Sequence, residues 1–270
     1  MSKLNFKDKV IVVTGAASGI GAAICDRFAR EGASIMLLDR DEAGVKTAAD
    51  KLRTSGVDAE GYRCDVVRQE ECTSVIEQVI ERCGGIDLLV NNAGITQRSA
   101  FVDTKTSVYR KVMDVNFFGS LYCTKAAISS LIKRKGVIIV IESLAGVSPL
   151  LGRTGYCASK HALHGFFTSL RSEIRDSGVH IMLVCPGFVE TNLQTRALGG
   201  DGQVTTHPQS VVGKPTSAAK VAADIFKGVQ ARKSLLVLTP VGKLAYWVSR
   251  LSPILYERIM ARQVKEELMR

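Results

Sequence analysis

An α/β fold, a single domain built on a doubly wound parallel sheet of about seven strands with helices on both faces, is predicted by three features of the sequence. Short runs rich in β-branched residues recur along the chain, longer amphipathic segments separate them, and the runs are nearly continuous in apolar residues instead of alternating with polar ones. Strands covered by helices on both faces carry such runs, and a regular strand–helix rhythm is the mark of parallel crossover units. The 270 residues exceed the usual ~100 to 200 per domain, but no linker divides them.

The strands are VIVVT at 10–14, SIMLLD at 34–39, AEGYRCD at 59–65, IDLLVN at 86–91, GVIIVIES at 136–143, HIMLVC at 180–185 and SLLVLT at 234–239. Helical spacing covers 19–31, 42–55, 69–83, 106–132, 155–176 and 217–230. Gly32, Gly56, Gly84 and Gly178 sit just past helix ends, where a left-handed cap suits glycine. From Phe188 to about Pro215 no element is assigned, and a loop of that length is usually functional or mobile. The tail, 241–270, opens with Leu244, Ala245, Trp247, Val248 and Leu251. Ser252 and Pro253 then start a second helix, with Ile254, Leu255 and Ile259 along one side and Arg258, Arg262 and Lys265 elsewhere. Two readings of this tail stay open. A basic amphipathic helix can lie on a membrane surface, and an apolar patch can equally pack over the substrate loop or at a subunit contact.

Composition narrows the function. A formal charge of +10 suits an anionic partner, but Lys and Arg are spread without a long run, which speaks against a nucleic-acid groove. Seven cysteines, an odd number without CxxC or zinc-like spacing, fit reduced thiols in a cytoplasmic protein. The apolar run 10–14 is too short for a signal peptide, and no stretch reaches the ~18 apolar residues of a membrane span.

The chemistry-bearing residues cluster at strand ends. TGAASGIG at 14–21 follows the first strand and opens a helix whose free N–H groups favour phosphate. Gly15 permits the turn, Gly19 and Gly21 leave room for a pyrophosphate and for helix-on-strand packing, and Ser18 and Ile20 lie between them. Asp39, ending the second strand 24 positions after Gly15, stands near the ~20-residue offset at which a carboxylate accepts from adenosine ribose hydroxyls. It repels a 2′-phosphate, so NAD is favoured. Arg40 next to it can pair with that phosphate, which leaves NADP as the lesser alternative. Tyr156 and Lys160 are four apart on a helix, and a nearby ammonium lowers the pKa of a phenol otherwise too weakly acidic to serve as a base. Ser143 closes the fifth run, where open α/β sheets place their ligands. Asn91, Asn92, Ala93 and Gly94 end the fourth, and Asn116 lies in a helix beside that crevice. Taken singly, these last residues read as turn or cap residues. His161 and His164 lack HExxH or a further ligand set and read as packing or surface residues, so no metal is expected.

In this order the motifs resemble those of the short-chain dehydrogenase/reductase family along nearly the whole chain: TGAASGIG at 14–21, Asp65 after the third strand, NNAG at 91–94, Asn116, Ser143 thirteen positions before Tyr156, YCASK at 156–160 and PG at 186–187. The resemblance implies a Rossmann-type fold with a dinucleotide-binding catalytic part at 1–240, including a substrate loop at 188–215, and a C-terminal helical extension of the same domain at 241–270. It implies that Tyr156 is the general acid/base, that Lys160 lowers its pKa and binds the nicotinamide ribose, that Ser143 holds the substrate oxygen and that Asn116 orders a relay water. Asp65 and Val66 would contact the adenine; Asn92, Ala93 and Gly94 would line the cofactor; Pro186, Gly187, Val189 and Thr191 would support its nicotinamide end. ASKHALHGFFTSLRSE is similar to the hydroxysteroid-dehydrogenase-like branch, which often carries an apolar C-terminal helix that touches membranes or closes the pocket. Asp39 departs from those relatives in the branch that use basic residues and NADP. The expected activity is NAD(P)-dependent interconversion of a secondary alcohol and a ketone on a moderately apolar small molecule, by a homodimer or homotetramer using the helices near 106–132 and 155–176. The expected location is the cytoplasm, with peripheral membrane contact through 241–270 as one of the two open readings of the tail. The alternative is a non-catalytic dinucleotide-binding sensor or scaffold on the same fold.

Overall fold

Each apolar run forms a strand, and the two-sided burial of the runs explains their composition. The structure, a computed structural model, describes residues 4–206, 211 and 213–264. The strands are β1 (Val10–Thr14), β2 (Ser34–Asp39), β3 (Ala59–Arg63), β4 (Leu88–Asn91), β5 (Val137–Ile141), β6 (His180–Cys185), β7 (Val189–Glu190), β8 (Thr216–Ser217) and β9 (Leu235–Val237). Seven make one parallel sheet in the order β3-β2-β1-β4-β5-β6-β9, with β7 and β8 as a separate parallel pair. Successive strand residues point to opposite faces. Ile11, Val13, Ile35, Leu37, Val90 and Ile139 enter one dry core; Val10, Val12, Met36, Leu38, Leu89 and Ile138 enter the other. In β1, β4 and β5 neither face sees water, so alternation with polar residues has no place there, while the edge strands β3 and β9 are largely half-buried.

The helices are α1 (Gly19–Ala29), α2 (Glu42–Thr54), α3 (Gln69–Cys83), α4 (Thr106–Met113), α5 (Gly119–Arg134), α6 (Thr154–Glu173), α7 (Ala218–Gln230), α8 (Pro240–Leu251) and α9 (Pro253–Val264). α1, α2 and α7 supply one face, where Phe28 and Phe226 meet edge-on at 5.4 Å under Phe6. α3, α5 and α6 supply the other. The strand order reverses between β1 and β4, and a crevice opens at the carboxyl ends of the strands on either side of that reversal.

Three differences from the expected elements bear on the site. The helix expected over 106–132 is two helices joined by a π-helical turn, Asp114–Phe118, which holds Asn116; such single wide turns concentrate at functional sites. β5 ends at Ile141, two residues earlier than expected, so Ser143 opens the following 3-10 turn instead of closing the strand. The 188–215 loop is not featureless, since Val189 pairs with Thr216 and Leu198 bridges both Gln97 and Val204. Residues 207–210 and 212 of that loop, and Lys265 in the tail, lie outside the described residues. Gly32, Gly56, Gly84 and Gly178 all take the expected left-handed conformation. Among the described residues no helix is long and apolar enough to cross a membrane.

Candidate active site

The glycine turn after β1 is held from three sides. Thr14 Oγ1 accepts from the backbone N–H groups of Asn92 and Ala93, each at 3.0 Å, and Asn92 Nδ2 donates to the carbonyls of Thr14 at 2.9 Å and Gly15 at 3.1 Å. The ends of β1 and β4 are thereby laced together across the crevice. A Cβ on Gly15 would stand 2.9 Å from Ala93 Cα, and one on Gly21 would stand 2.2 Å from the Gly15 carbonyl oxygen. Gly15 also has φ +65°, so both space and backbone conformation select glycine. From the far side, Asp39 Oδ2 accepts from Ala17 N at 3.0 Å and Oδ1 from Asp41 N at 3.1 Å. No acidic residue occupies the first turn of α1, which leaves its positive end open toward the crevice. These residues make a cradle in which an added methyl group would collide with protein, and it fits an anionic dinucleotide backbone.

At the other end of the same cavity, α6 brings Tyr156 and Lys160 to one face. The cavity has a volume of ≈ 1520 Å³, and all the sequence-predicted site residues line it except Gly21 and Asn116, which lie behind its wall. Lys160 Nζ stands 5.7 Å from the Tyr156 ring centroid and donates to the Ile141 carbonyl at 2.9 Å. Burial pushes the Tyr156 phenol above its ordinary value, while a hydrogen bond with Ser143 and the nearby Arg153 charge pull it down. Burial also drives the Lys160 ammonium down to about 8, opposed chiefly by Glu142. Ser143 Oγ accepts from Ala145 N at 3.1 Å, which fixes the hydroxyl above the strand end.

Asn116 is fully buried and its amide is committed to protein. Nδ2 donates to Ile95 O at 3.0 Å and to Ser159 Oγ at 2.8 Å, and Oδ1 accepts from Ile95 N at 2.8 Å. Gly94 separates this amide from the lysine, since a Cβ there would lie 3.2 Å from Asn116 Oδ1 and 3.6 Å from Lys160 Nζ.

Several groups at the site escaped the sequence reading. Thr14 carried no signal as the hub of the β1–β4 lacing. Arg153, 1% exposed at the start of α6, has Nη1 3.4 Å from Thr96 Oγ1 and 3.3 Å from Gln194 Oε1. Glu142 lies between β5 and Ser143, buried against His164. Packing, one of the two readings given for the histidines, holds for His164, while His161 Nδ1 pairs with the Cys157 carbonyl at 2.9 Å on the surface. Among the described residues no three His, Cys, Asp or Glu side chains gather to hold a metal, and all seven cysteines are free thiols.

Beyond Tyr156 part of the cavity wall is apolar and comes from the tail. Leu150, Leu244, Val248, Ile259 and Met260 line it. Four polar contacts tether α8 and α9 to the segment after β5: Ser148 Oγ with Ser249 Oγ at 2.8 Å, Ser249 Oγ donating to Val147 O at 3.3 Å, Tyr256 OH donating to Pro149 O at 3.1 Å, and Leu151 N donating to Met260 Sδ at 3.3 Å.

A glycine cradle at one end of this cleft and a Ser–Tyr–Lys group at the other are matched by similarity at the level of the whole chain. The model of the short chain dehydrogenase family matches residues 9–199. The chain belongs to the short-chain dehydrogenase family. A curated family relative, Dehydrogenase/reductase SDR family member 7B of Danio rerio, is 34% identical over 271 residues, covering 97% of this chain and 88% of that protein. Among solved family structures, a short chain dehydrogenase/reductase from Burkholderia phymatum in complex with NAD superposes with a TM-score of 0.83 over 93% of this chain and 96% of its own. An alcohol dehydrogenase from the archaeon Thermococcus sibiricus complexed with 5-hydroxy-NADP superposes at 0.74 over 85% and 95%. Both are 24% identical, and their likeness is one of fold.

Proposed function

We propose that this short-chain dehydrogenase is an NAD(P)-dependent oxidoreductase, with NAD preferred, that interconverts a secondary alcohol and a ketone on a moderately apolar small molecule. The observation that carries the reading is the convergence of Ser143, Tyr156 and Lys160 at one end of a cavity whose other end is the glycine cradle. When bound there, a nicotinamide dinucleotide supplies the acceptor or donor of the hydride. Tyr156 Oη takes the alcohol proton in oxidation and returns it in reduction; Ser143 Oγ–H donates to the substrate oxygen and orients the carbinol carbon. The ammonium of Lys160 stabilises the phenolate that burial opposes. Asp39 supports NAD, because its carboxylate stands at the edge of the cradle where a 2′-phosphate would be repelled. The solved neighbours, one named with NAD and one with an NADP derivative, agree with a dinucleotide in this fold and leave the preference to Asp39. The apolar lining supports a substrate of moderate apolarity.

An absorbance assay of NAD and NADP reduction across a panel of secondary alcohols tests the reading. Reduction of NAD by an apolar member of the panel is the expected result. Tight cofactor binding with no hydride transfer in any alcohol or ketone class would favour a sensor or scaffold instead.

We also propose that the tail contacts a membrane surface. Leu251 is 80% exposed, Ile254 65% and Trp247 58%, and Lys243, Arg250, Arg258 and Arg262 share the same two helices. Co-sedimentation with anionic liposomes, full-length against a chain ending at 240, is expected to separate the two; equal partitioning sinks the idea. A homodimer or homotetramer through α4, α5 and α6 is supported by the exposure of Phe118 and Ile132 and is read by light scattering. The seven free thiols suit a reducing compartment such as the cytoplasm.

A further inference from the structure

A carboxylate lies directly against the helix that carries Tyr156 and Lys160. Glu142 is 2% exposed and its side chain meets no solvent. A carboxylate in such surroundings persists only when it is hydrogen-bonded and paired. Both of its oxygens stand 3.2 Å from His164 Nδ1, and Oε2 also accepts from Cys185 Sγ at 3.5 Å. Gly146 makes the space, because a Cβ there would lie 2.2 Å from Oε1 and 2.8 Å from the Lys160 carbonyl oxygen. His164 follows Lys160 by four residues, so Tyr156, Lys160 and His164 occupy successive turns of one face of α6.

Nothing in the proposed hydride transfer requires an acid or base at Glu142, yet the arrangement surrounds it with built contacts. We propose that Glu142, clamped by His164 and Cys185, is a positioning residue that keeps the Lys160 side chain positively charged beside Tyr156. This rests on the reading of Tyr156 and Lys160 given above. Lys160 Nζ is anchored 2.9 Å from the carbonyl of Ile141, the residue before Glu142, and Glu142 Oε1 flanks the Gly146 position together with the Lys160 carbonyl, so the carboxylate sits beside the segment that holds the ammonium. Burial lowers the Lys160 pKa and Glu142 acts the other way. The titratable and charged groups facing the cluster are Tyr156, Lys160 and His164 from α6, Cys185 from β6 and Arg250 from α8, whose charge acts on the Cys185 thiol. Arg153 acts on Tyr156 from the start of α6 and favours the phenolate. Burial holds the Cys185 thiol up in its neutral form.

The test reads the charge of Lys160 without relying on turnover. Competitive labelling with acetic anhydride across pH, read by peptide mass spectrometry, gives the midpoint at which the Lys160 amine becomes reactive. Glu142→Gln is expected to move that midpoint about one pH unit lower, and to move the alkaline limb of alcohol oxidation in the same direction. Glu142→Asp, which keeps the charge, is expected to recover most of the shift. A Glu142→Gln protein that still binds NAD and shows the wild-type midpoint overturns the proposal, whatever happens to kcat. Should Glu142→Gln fail to fold, His164→Arg places a permanent cation on the carboxylate from a position that is 23% exposed, and the midpoint must again fall, with His164→Gln staying near wild type. An unchanged midpoint in His164→Arg overturns the proposal equally. If wild-type protein oxidises no alcohol, the reaction class fails while the labelling still decides the role of Glu142.

Discussion

The two ends of the cleft are built by different means. The cofactor end is made of strand termini and backbone: Thr14, Asn92 and the Gly15 carbonyl lock to one another, and Asp39 bonds to a main-chain N–H of the turn. The end beyond Tyr156 is made of side chains on late segments, with α8 and α9 tethered by four polar contacts and presenting large apolar groups outward. A backbone-built wall tolerates almost no change of shape because each atom is fixed by the sheet. A side-chain-built wall can be re-cut residue by residue without disturbing the strands. This is the division expected of a fold that keeps one cofactor chemistry and changes substrates.

Variants at the two ends should therefore differ in size of effect. The largest loss is expected at the junction: Tyr156→Phe removes the proton donor and acceptor and should lower kcat by about 10²–10⁴-fold with little change in cofactor affinity; retained turnover would remove Tyr156 from the reaction. Next, Gly21→Ala drives a methyl against the Gly15 carbonyl and the Asn92 amide. Overpacking of about 1–3 kcal/mol should weaken NADH binding by about ten- to a hundredfold in a fluorescence titration. A change confined to twofold would mean that the turn is softer than its contacts indicate. The pH response sits between the two ends. Lys160 is driven down to about 8, so its ammonium is present below that pH and is lost as pH rises through it. Oxidation of the alcohol should accordingly fall on the alkaline side with a limb near pH 8, and a rate still climbing at pH 10 contradicts the assignment. Asp39→Asn relieves repulsion of a 2′-phosphate and should shift the NADP to NAD ratio of kcat/KM by about tenfold toward NADP. Smallest of all, Leu251→Ser on the outer face of the tail should leave turnover of a soluble alcohol within about twofold while lowering liposome binding; a large loss of turnover would show that the outer face also shapes the pocket.

The same contrast governs what was legible in the sequence. The seven runs gave the strands because continuous apolar composition is forced by burial on both faces, and TGAASGIG and Tyr156 with Lys160 were visible because their spacing is itself the geometry. Glu142 and Arg153 were not, since charged residues ordinarily lie outside and nothing local marks one that is buried by segments distant in the chain. The break at Asp114–Phe118 was hidden for another reason: one extra residue in a turn leaves the apolar pattern on both sides intact, so 106–132 reads as continuous helix. Thr14 reads as a strand residue, and its second role depends on Asn92, 78 positions away.

The bond from Lys160 Nζ to the Ile141 carbonyl has a consequence for how the reaction begins. A lysine side chain carries about 2 kcal/mol of rotamer entropy, and an arm that had to be gathered in at each turnover would add that amount to the barrier. Here the arm is pinned to the end of β5 by the fold itself. The loss of freedom is a cost of folding, shared with the rest of the sheet, and the reacting groups start from a geometry that needs no further ordering.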